Sequence, residues 1–206
     1  MFELYLVTDE SLSLGRSLEW IVEQAVQGGV TMVQLREKEL DTRSFIERAE
    51  KIKKILAPRQ IPLIINDRLD VALAAGADGI HIGQRDMPYE KAKRFLPEGS
   101  MIGLSVETME QVREAEKLDV DYLGVSPIFS TPTKTDVETQ WGIEGLKKVR
   151  ALSRHKLVAI GRMKVSNAAE VIKAGADGIA VVSGICSATD PGMAAKAFMD
   201  EIQKVK

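Results

Sequence analysis

The sequence predicts a closed (β/α)8 TIM barrel that forms a single domain over residues 1–206. Short runs rich in β-branched residues alternate with amphipathic helical segments along the chain, and the eight strand–helix units match the count of a closed barrel. In addition, LAAGADGIHIG (73–83) resembles IKAGADGIAVVSG (172–184), as expected for an internal repeat. An open doubly wound sheet is the alternative fold, but no strand is followed by the GxGxxG loop that such sheets often carry.

Each predicted strand is a short apolar run that leads into a polar or glycine-containing loop. The runs are Glu3–Thr8, Thr31–Arg36, Leu63–Ile65, Gly79–Ile82, Met101–Val106, Tyr122–Ser126, Leu157–Ile160 and Gly178–Val182. Because the active sites of such barrels lie in the loops at the C-terminal ends of the strands, functional residues are expected there.

The segments between the strands carry apolar residues at helical spacing. The second of them follows Asp41, a preferred N-cap residue. Ser166 is expected to cap the helix after the seventh strand, and Asp190 with Pro191 is expected to begin the last helix. The segments after the third and fourth strands are the shortest.

Composition excludes several classes of function. A net charge of −2 and a pI near 5.8 favour neither a nucleic-acid partner nor an anionic membrane. The single cysteine, Cys186, excludes an internal disulfide and fits a reducing compartment. The first residues, MFELYLVTDE, lack the basic region of a signal peptide, and no apolar run is long enough to cross a membrane. We therefore expect a cytoplasmic protein that acts on small molecules. A homo-oligomer is compatible with the sequence.

Polar residues alternate with apolar ones at the end of the second strand. Gln34, Arg36 and Lys38 share one face, and the apolar residues between them share the other. Since the apolar face is expected to pack against helices, the polar face points into the barrel mouth, where an unpaired cation is costly. Two interpretations stay open: ion pairs with Asp67 or another acid of the rim, or a cradle for a multiply charged anion such as a phosphate ester.

Two acidic residues follow neighbouring strands. Asn66 and Asp67 come directly after the third strand, and Gln84 and Asp86 follow the fourth. Parallel neighbours about 4.8 Å apart place the two carboxylates side by side, where they repel each other unless a cation lies between them. Mg²⁺ suits this position, because it binds one or two carboxylates together with phosphate oxygens. The alternative is that Asp67 and Asp86 are helix N-caps.

Three further groups lie on the central strands and loops. His81 stands between two isoleucines and is expected to point inward. A histidine in such a position is more often a hydrogen-bonded interior residue than a catalytic one. Ser105 ends the fifth strand, where its hydroxyl can bind a ring or a phosphate. The longest loop, after the sixth strand, carries Thr131, Thr133 and Lys134 and is interpreted either as a closing lid or as an ordinary polar loop.

Small residues follow the last two strands. Gly161 comes after the seventh strand, and Ser183 and Gly184 come at the end of the eighth. At these positions, barrels often bind a phosphate through backbone N–H groups and a helix N-terminus. Together with the Mg²⁺ site, this predicts two anionic subsites, and hence the transfer of a group between two phosphorylated small molecules.

The motifs LYLVTD, VQLREK, PLIINDRLDVALAAGADGIHIGQRDMP, IGLSVET, DYLGVSPIFSTPTKTD, AIG and AGADGIAVVSGI resemble the thiamine-phosphate synthase (thiamine-phosphate pyrophosphorylase) family nearly from end to end. The resemblance implies a (β/α)8 barrel in thiamine biosynthesis. It implies an Mg²⁺-dependent transferase that joins hydroxymethylpyrimidine diphosphate to thiazole phosphate, or its carboxylate, and releases diphosphate. The implied chemistry is dissociative, with a pyrimidinyl-methyl cation captured by the thiazole nitrogen and no protein nucleophile.

The resemblance also implies a role for each matching residue. The diphosphate would be bound by Gln34, Arg36, Lys38, Asn66 and Lys134, and Mg²⁺ by Asp67 and Asp86. Ser105 would contact the pyrimidine, and the thiazole phosphate would be received by Thr131, Thr133, Gly161, Val182 and Ser183. Arg36, Ser105 and Lys134 are the residues expected to act in catalysis.

One position departs from the family pattern. The family usually has two glycines after the seventh strand, whereas this chain has Gly161 and Arg162. The arginine side chain has three open alternatives: it crowds the phosphate, turns outward or adds a charge to the subsite. Two other functions therefore remain as alternatives, a thiazole tautomerase-type isomerase and a non-catalytic protein that binds a phosphate ligand.

Overall fold

The computed structural model, which describes residues 2–129 and 140–206, contains a closed barrel of eight parallel strands. The strands are β1 (Leu4–Val7), β2 (Met32–Leu35), β3 (Leu63–Asn66), β4 (Gly79–Ile82), β5 (Met101–Val106), β6 (Tyr122–Val125), β7 (Lys156–Ile160) and β8 (Gly178–Val181). Each pairs with the next, and β8 pairs with β1. The predicted (β/α)8 fold is therefore confirmed, and no predicted strand end is wrong by more than one residue.

Helices cover the outside of the barrel. They are α1 (Leu18–Gln27), α2 (Thr42–Leu56), α3 (Leu69–Ala74), α4 (Tyr89–Phe95), α5 (Met109–Ala115), α6 (Gly142–Leu152), α7 (Val165–Lys173), α8 (Ser183–Cys186) and α9 (Pro191–Gln203). Asp41 and Asp190 cap α2 and α9 as predicted. The short helix α8 was not predicted. Within the two described ranges, no helix is both long and apolar enough to cross a membrane.

The prediction that Ser166 caps α7 is wrong. The helix begins at Val165, so Ser166 lies inside its first turn and Lys164 is the N-cap residue. The side chain of Asn167 accepts the backbone N–H of Lys164 at 2.9 Å and thereby stabilises this end. Proximity of a serine to the helix start was not sufficient, because the asparagine one position later reaches back to the first free N–H group.

Two hydrophobic layers hold the barrel together. The larger lies between strands and helices and contains Val33 and Leu35 of β2. The smaller fills the barrel interior and contains Tyr5, Val7, Met32, Ile64, Tyr122, Val158 and Ala180. This alternation along each strand turns Gln34 inward, since its apolar neighbours face the helices.

Three turns that end in an aspartate, two of them the repeated Ala-Asp turns, close the barrel end opposite the predicted site. In each, an aspartate carboxylate accepts the backbone N–H of the neighbouring strand: Asp78 from Leu63 at 2.8 Å, Asp121 from Ile102 at 2.7 Å, and Asp177 from Leu157 at 2.9 Å. His155 lies at the same end, where Nε2 bonds to the Ala115 carbonyl at 3.1 Å. These groups are structural, and they are remote from the cavity described next.

Candidate active site

A cavity of about 1030 Å³ opens at the C-terminal ends of the strands. Every predicted site residue within the described residues lines it: Gln34, Arg36, Lys38, Asn66, Asp67, Asp86, Ser105, Gly161, Val182 and Ser183. Thr131, Thr133 and Lys134 lie outside the described residues. The barrel therefore brings together at one mouth the side chains that the sequence distributes over some 150 residues.

The cations of the second strand are paired with acids. Arg36 Nη1 lies 3.0 Å from Asp9 Oδ2, and Lys38 Nζ lies 2.6 Å from Asp67 Oδ2. The structure thus shows the ion pairs of the first interpretation. The arginine side chain is nevertheless 33% exposed and the lysine side chain 50% exposed. Because exposed ion pairs contribute little, both cations can exchange these partners for a phosphate at small cost.

An ionic cluster that sequence reasoning missed lies behind Arg36. Arg48 of α2 contacts Glu10 at 2.9 Å and Glu37 at 2.7 Å, and the Glu37 side chain is only 3% exposed. Burial raises the pKa of Glu37, whereas Arg48 acts to lower it. Together with Asp9, this cluster holds the loops after β1 and β2 in register. The signal was present in the sequence, since Asp9 follows the first strand as Asp67 follows the third.

The two predicted metal ligands do not cap helices. α3 begins after Arg68 and α4 begins after Pro88, so the capping alternative is excluded. Asp86 Oδ2 accepts the backbone N–H of Gly83 at 2.7 Å, which aims the carboxylate at the cavity. Burial raises the pKa of Asp86, and the nearby Asp67 raises it further. Asp67 therefore lies close enough to disfavour the negative charge of Asp86.

This donor set fits Mg²⁺ as a site that a substrate completes. Among residues 2–129 and 140–206, no three His, Cys, Asp or Glu side chains cluster to hold a metal ion alone. Mg²⁺ needs only one or two carboxylates when phosphate oxygens and water supply its remaining ligands. Asp67 and Asp86 would hold the ion here. In the structure, the positive charge beside Asp67 is that of the Lys38 ammonium.

A hydrogen-bonded path crosses the barrel interior between two cavity residues. Gln34 Nε2 donates to the Tyr5 hydroxyl at 2.9 Å, and the Tyr5 and Tyr122 hydroxyls lie 2.8 Å apart. His81 then bonds to Tyr122 through Nδ1 at 3.0 Å and to the Ser105 hydroxyl through Nε2 at 2.8 Å. We call these five residues the interior network. His81 points inward as predicted, whereas the two tyrosines were missed.

Glycines on β5 and β6 make room for the interior network. The rings of His81 and Tyr122 are stacked, with centroids 5.4 Å apart. A Cβ atom at Gly103 would lie 2.1 Å from Tyr122 Cζ, and one at Gly124 would lie 2.9 Å from His81 Cε1. A larger residue at either position would therefore force the rings of Tyr122 and His81 to move. Inward-facing glycines beside inward-facing tyrosines are the sequence signal that could have revealed this arrangement.

The rim at β7 and β8 combines a tight backbone with positive charge. At Gly161, a Cβ atom would lie 2.8 Å from Pro127 Cβ, so only glycine fits. Arg162 adopts a left-handed backbone with φ of 53°, and its side chain is exposed. Arg162 and Lys164 both line the cavity. The arginine therefore lies exposed at the edge of the cavity and adds positive charge there.

Arg16 braces the loop that follows β8. Its guanidinium donates to the carbonyls of Cys186 at 2.8 Å and Ala188 at 2.7 Å, at the C-terminal end of α8. The same guanidinium lies over the Trp20 ring, 5.4 Å from its centroid. The opposite end of α8 begins at Ser183, which lines the cavity. The backbone at this part of the rim is thus fixed from outside the cavity.

The chain is similar to known proteins over nearly its whole length. A family model described as thiamine monophosphate synthase matches residues 4–185. The thiamine-phosphate synthase of Albidiferax ferrireducens is 59% identical over 202 residues, which cover 98% of this chain and 92% of that protein. The thiamine-phosphate synthase of Vibrio campbellii is 49% identical and is covered over 97% of its length, along with 96% of this chain.

Solved structures agree with this relationship. The thiamine phosphate pyrophosphorylase from Pyrococcus furiosus has a TM-score of 0.91 and 37% identity, and the match covers 99% of this chain and 96% of that one. The 3-hexulose-6-phosphate synthase from Salmonella typhimurium matches with a TM-score of 0.74 at 18% identity, over 99% of this chain and all of that one, and shows the barrel fold alone. From its sequence, its fold and the residues gathered at its cavity, the chain belongs to the thiamine monophosphate synthase family.

Proposed function

We propose that the chain catalyses the Mg²⁺-dependent condensation of 4-amino-2-methyl-5-(hydroxymethyl)pyrimidine diphosphate with 4-methyl-5-(2-phosphoethyl)thiazole, or its carboxylate, to give thiamine phosphate and diphosphate. Family membership makes the chain a transferase of thiamine biosynthesis. The observation that carries the finer proposal is the pairing of two facing carboxylates with exposed cations at the same cavity mouth. A biosynthetic enzyme of this kind, with one buried cysteine, is expected to work in the cytoplasm.

The side of the cavity formed by β2, β3 and β4 suits the diphosphate. Arg36 and Lys38 offer a guanidinium and an ammonium to phosphate oxygens, and Asn66 adds an amide. Asp67 and Asp86 would hold Mg²⁺, which when bound neutralises charge that accumulates on the diphosphate. When Lys38 turns from Asp67 to the substrate, it frees a carboxylate oxygen for the ion. Lys134 is proposed to join these ligands from the loop after β6.

The opposite side suits a phosphomonoester. Gly161, Val182 and Ser183 present backbone at the cavity edge, and Thr131 and Thr133 are proposed to add their hydroxyls. Arg162 stands beside these residues with its side chain exposed. A second anion bound here would bring the thiazole nitrogen to the centre of the cavity, between the two charged sides. This division into two anionic subsites supports transfer between two phosphorylated molecules.

The proposed reaction needs positioning and charge stabilisation. The bond between the pyrimidinyl-methyl carbon and the diphosphate oxygen breaks, and its electron pair leaves with the diphosphate. Arg36 and Lys134 stabilise the negative charge on the departing group, while Ser105 orients the pyrimidine ring. The thiazole nitrogen donates its lone pair to the resulting cation and forms the new carbon–nitrogen bond. The apolar walls of the barrel interior exclude water, which would otherwise capture the cation.

The direct test combines both substrates with Mg²⁺ and measures thiamine phosphate by chromatography. A known synthase assayed in parallel controls the substrates and the detection. Product is expected, whereas no product under conditions in which the control is active would refute the proposal. Rearrangement of a thiazole carboxylate phosphate without Mg²⁺, and without condensation, would support the isomerase alternative.

A second test separates the two subsites. Asp67→Ala is expected to abolish most Mg²⁺-dependent turnover while the dissociation constant for thiazole phosphate stays close to that of the unmodified protein. Calorimetric titration with thiazole phosphate provides the binding measurement. Comparable losses in turnover and thiazole-phosphate binding would show that the two-subsite arrangement is wrong.

A further inference from the structure

The interior network joins two cavity residues that lie on separate strands. Gln34 is on β2 and Ser105 is on β5, and three buried or half-buried side chains connect them through four hydrogen bonds of 2.8 to 3.0 Å. Both ends line the cavity where the proposed pyrimidine substrate binds. A further bond, from Gln84 Nε2 to the Ser105 carbonyl at 2.6 Å, holds the backbone of the serine end.

The direction of donation along this path is set by simple counting. A phenol has one hydrogen to donate, and burial raises the pKa of Tyr5 and Tyr122, so both remain protonated. Tyr5 is buried and accepts from Gln34, so its own hydrogen is satisfied only if Tyr5 donates to Tyr122. Tyr122 then donates to Nδ1 of a neutral His81, and the hydrogen on Nε2 is donated to Ser105. The opposite direction requires the glutamine amide to rotate and every hydrogen in the path to move together.

The direction determines what the cavity offers to a ligand. With its Nε2 engaged by Tyr5, Gln34 keeps its carbonyl oxygen as an acceptor. This oxygen suits the pyrimidine edge and not the diphosphate, whose oxygens only accept, so the inference moves Gln34 from the diphosphate ligands to the pyrimidine site. With its oxygen engaged by His81, Ser105 keeps its own hydroxyl hydrogen as a donor. An aminopyrimidine edge has the complementary pattern, an exocyclic amino donor beside a ring-nitrogen acceptor. The corresponding oxo ring exchanges the two, since its carbonyl accepts and its ring N–H donates.

We propose that Tyr5, Tyr122 and His81 are positioning residues that fix Gln34 as an acceptor and Ser105 as a donor, and so select an amino-substituted pyrimidine over its oxo counterpart. This inference rests on the proposed function for its substrate. The glycines opposite the stacked rings support it, because β5 and β6 give up side chains at two inward positions to accommodate the network. Packing alone would be served by an apolar pair of the same volume, without the polar path.

The first test removes one oxygen from the path. Tyr122→Phe keeps the ring and interrupts donation between Tyr5 and His81. Tyr89→Phe is the matched control, because that hydroxyl is also partly buried and bonded, at 2.8 Å to the Asp119 carbonyl, but lies on α4 outside the cavity. The measurement is kcat/KM for the amino and the oxo pyrimidine diphosphates, with thiazole phosphate and Mg²⁺ saturating.

The ratio of the two kcat/KM values is expected to fall about tenfold in Tyr122→Phe, the usual scale for one hydrogen bond, and to stay unchanged in Tyr89→Phe. KM for thiazole phosphate should not move. An unchanged ratio in Tyr122→Phe would overturn the inference, as would equal losses with both pyrimidines. If Tyr122→Phe does not fold, Tyr5→Phe interrupts the same path one step earlier and is expected to give the same change in ratio.

The second test observes the direction of donation itself. The chain has two histidines, so a protein labelled with ¹⁵N-histidine gives two imidazole spin systems in an NMR spectrum. His81 is expected to be neutral with its hydrogen on Nε2, and Tyr122→Phe should mix the tautomers because Nδ1 loses its donor. His155 serves as the internal reference, since its Nε2 faces the Ala115 carbonyl and must carry a hydrogen.

A hydrogen on Nδ1 of His81 would overturn the inference whatever the enzyme assay shows. If the unmodified protein makes no thiamine phosphate, the proposed function fails, and the tautomer alone then decides whether the network has the inferred direction. If the protein is active and the tautomer is reversed, the proposed function stands and the inference fails. The two failures are therefore distinguishable.

Discussion

Replacement of Asp86 by asparagine is expected to stabilise the metal-free protein while it abolishes the response to Mg²⁺. Burial disfavours the negative charge of Asp86 and raises its pKa, and the nearby Asp67 adds to the cost. Asparagine has nearly the same shape and retains an oxygen that can accept the Gly83 N–H. The variant thus removes one of two repelling charges with little change in packing.

The magnitude follows from the surroundings of the pair. Two like charges in near contact repel by about 1 kcal/mol in a water-like medium and by about 4 kcal/mol at an effective dielectric constant near 20. The Asp67 side chain is 24% exposed and already paired with Lys38, so the lower value applies. For a chain of this length, a gain of about 1 kcal/mol corresponds to a rise in Tm of roughly 2–4 °C.

The assay is thermal unfolding with and without Mg²⁺ plus inorganic diphosphate. In the unmodified protein, these ligands at about 100 times the dissociation constant should add about 2.7 kcal/mol of stability. Asp86→Asn should start from a higher Tm and gain almost nothing. Asp70→Asn is the control, because this exposed acid is paired with Arg68 and lies only three positions from Asp67. Asp70→Asn should keep the rise in Tm on addition of Mg²⁺ and diphosphate, and it should not raise the Tm of the protein without these ligands.

The pH dependence gives the reasoning a further check. Because the folded-state pKa of Asp86 is raised above the ordinary aspartate value, the unmodified protein loses stability as pH rises through that pKa. The stability difference between variant and unmodified protein should therefore be absent at pH values where Asp86 is protonated, and should open as pH rises toward neutrality. A lower Tm for Asp86→Asn at neutral pH, or a retained response to Mg²⁺ and diphosphate, would refute the reasoning.

Two further substitutions address the glycine positions and the altered rim. Gly103→Ala should lower the free energy of unfolding by about 1–3 kcal/mol in urea titrations, because the new Cβ would lie 2.1 Å from Tyr122 Cζ and 2.6 Å from His81 Nδ1. A neutral effect would show that the rings have room to move. Arg162→Gly should relieve about 1 kcal/mol of left-handed backbone strain, offset by the entropy of glycine. The same substitution should raise KM for thiazole phosphate by roughly threefold to tenfold, because it removes the guanidinium beside the second anion. An unchanged KM would mean that the guanidinium does not reach this anion.

The strands and the location of the cavity were predictable because they depend on local pattern and on one topological rule. Each strand is a short apolar run between turn residues, and the runs alternate with helical segments, so the barrel follows from counting. Parallel strands that close into a barrel place all their C-terminal loops at one mouth. Asp67 and Asp86 could therefore be brought together from the sequence alone. Ser166 shows the limit of local pattern, since the helix begins one residue earlier and the side chain of Asn167, not that of Ser166, bonds to the N-cap residue.

The partners of individual polar groups were not predictable. Lys38 is paired with Asp67, which is 29 positions away in the sequence, and Arg36 with Asp9, at a separation of 27. Alternation along β2 indicates only the face on which these cations lie. Which acid each cation meets depends on strand register and loop path, and several rim acids compete for the same cations. The structure shows the ion pairs, and the anion cradle stays a prediction.

The sequence by itself determined the barrel, the order of its strands, the mouth where functional side chains collect and, through its motifs, the family. Only the tertiary structure decided which interior polar atoms meet. Tyr5 and Tyr122 are separated by 117 residues, and their hydroxyls come within 2.8 Å because the barrel closes and because β5 and β6 carry glycine where the rings pack. Periodicity assigns a residue to the inside of a barrel, but contact across the interior depends on strand stagger and side-chain volume, which are properties of the closed structure.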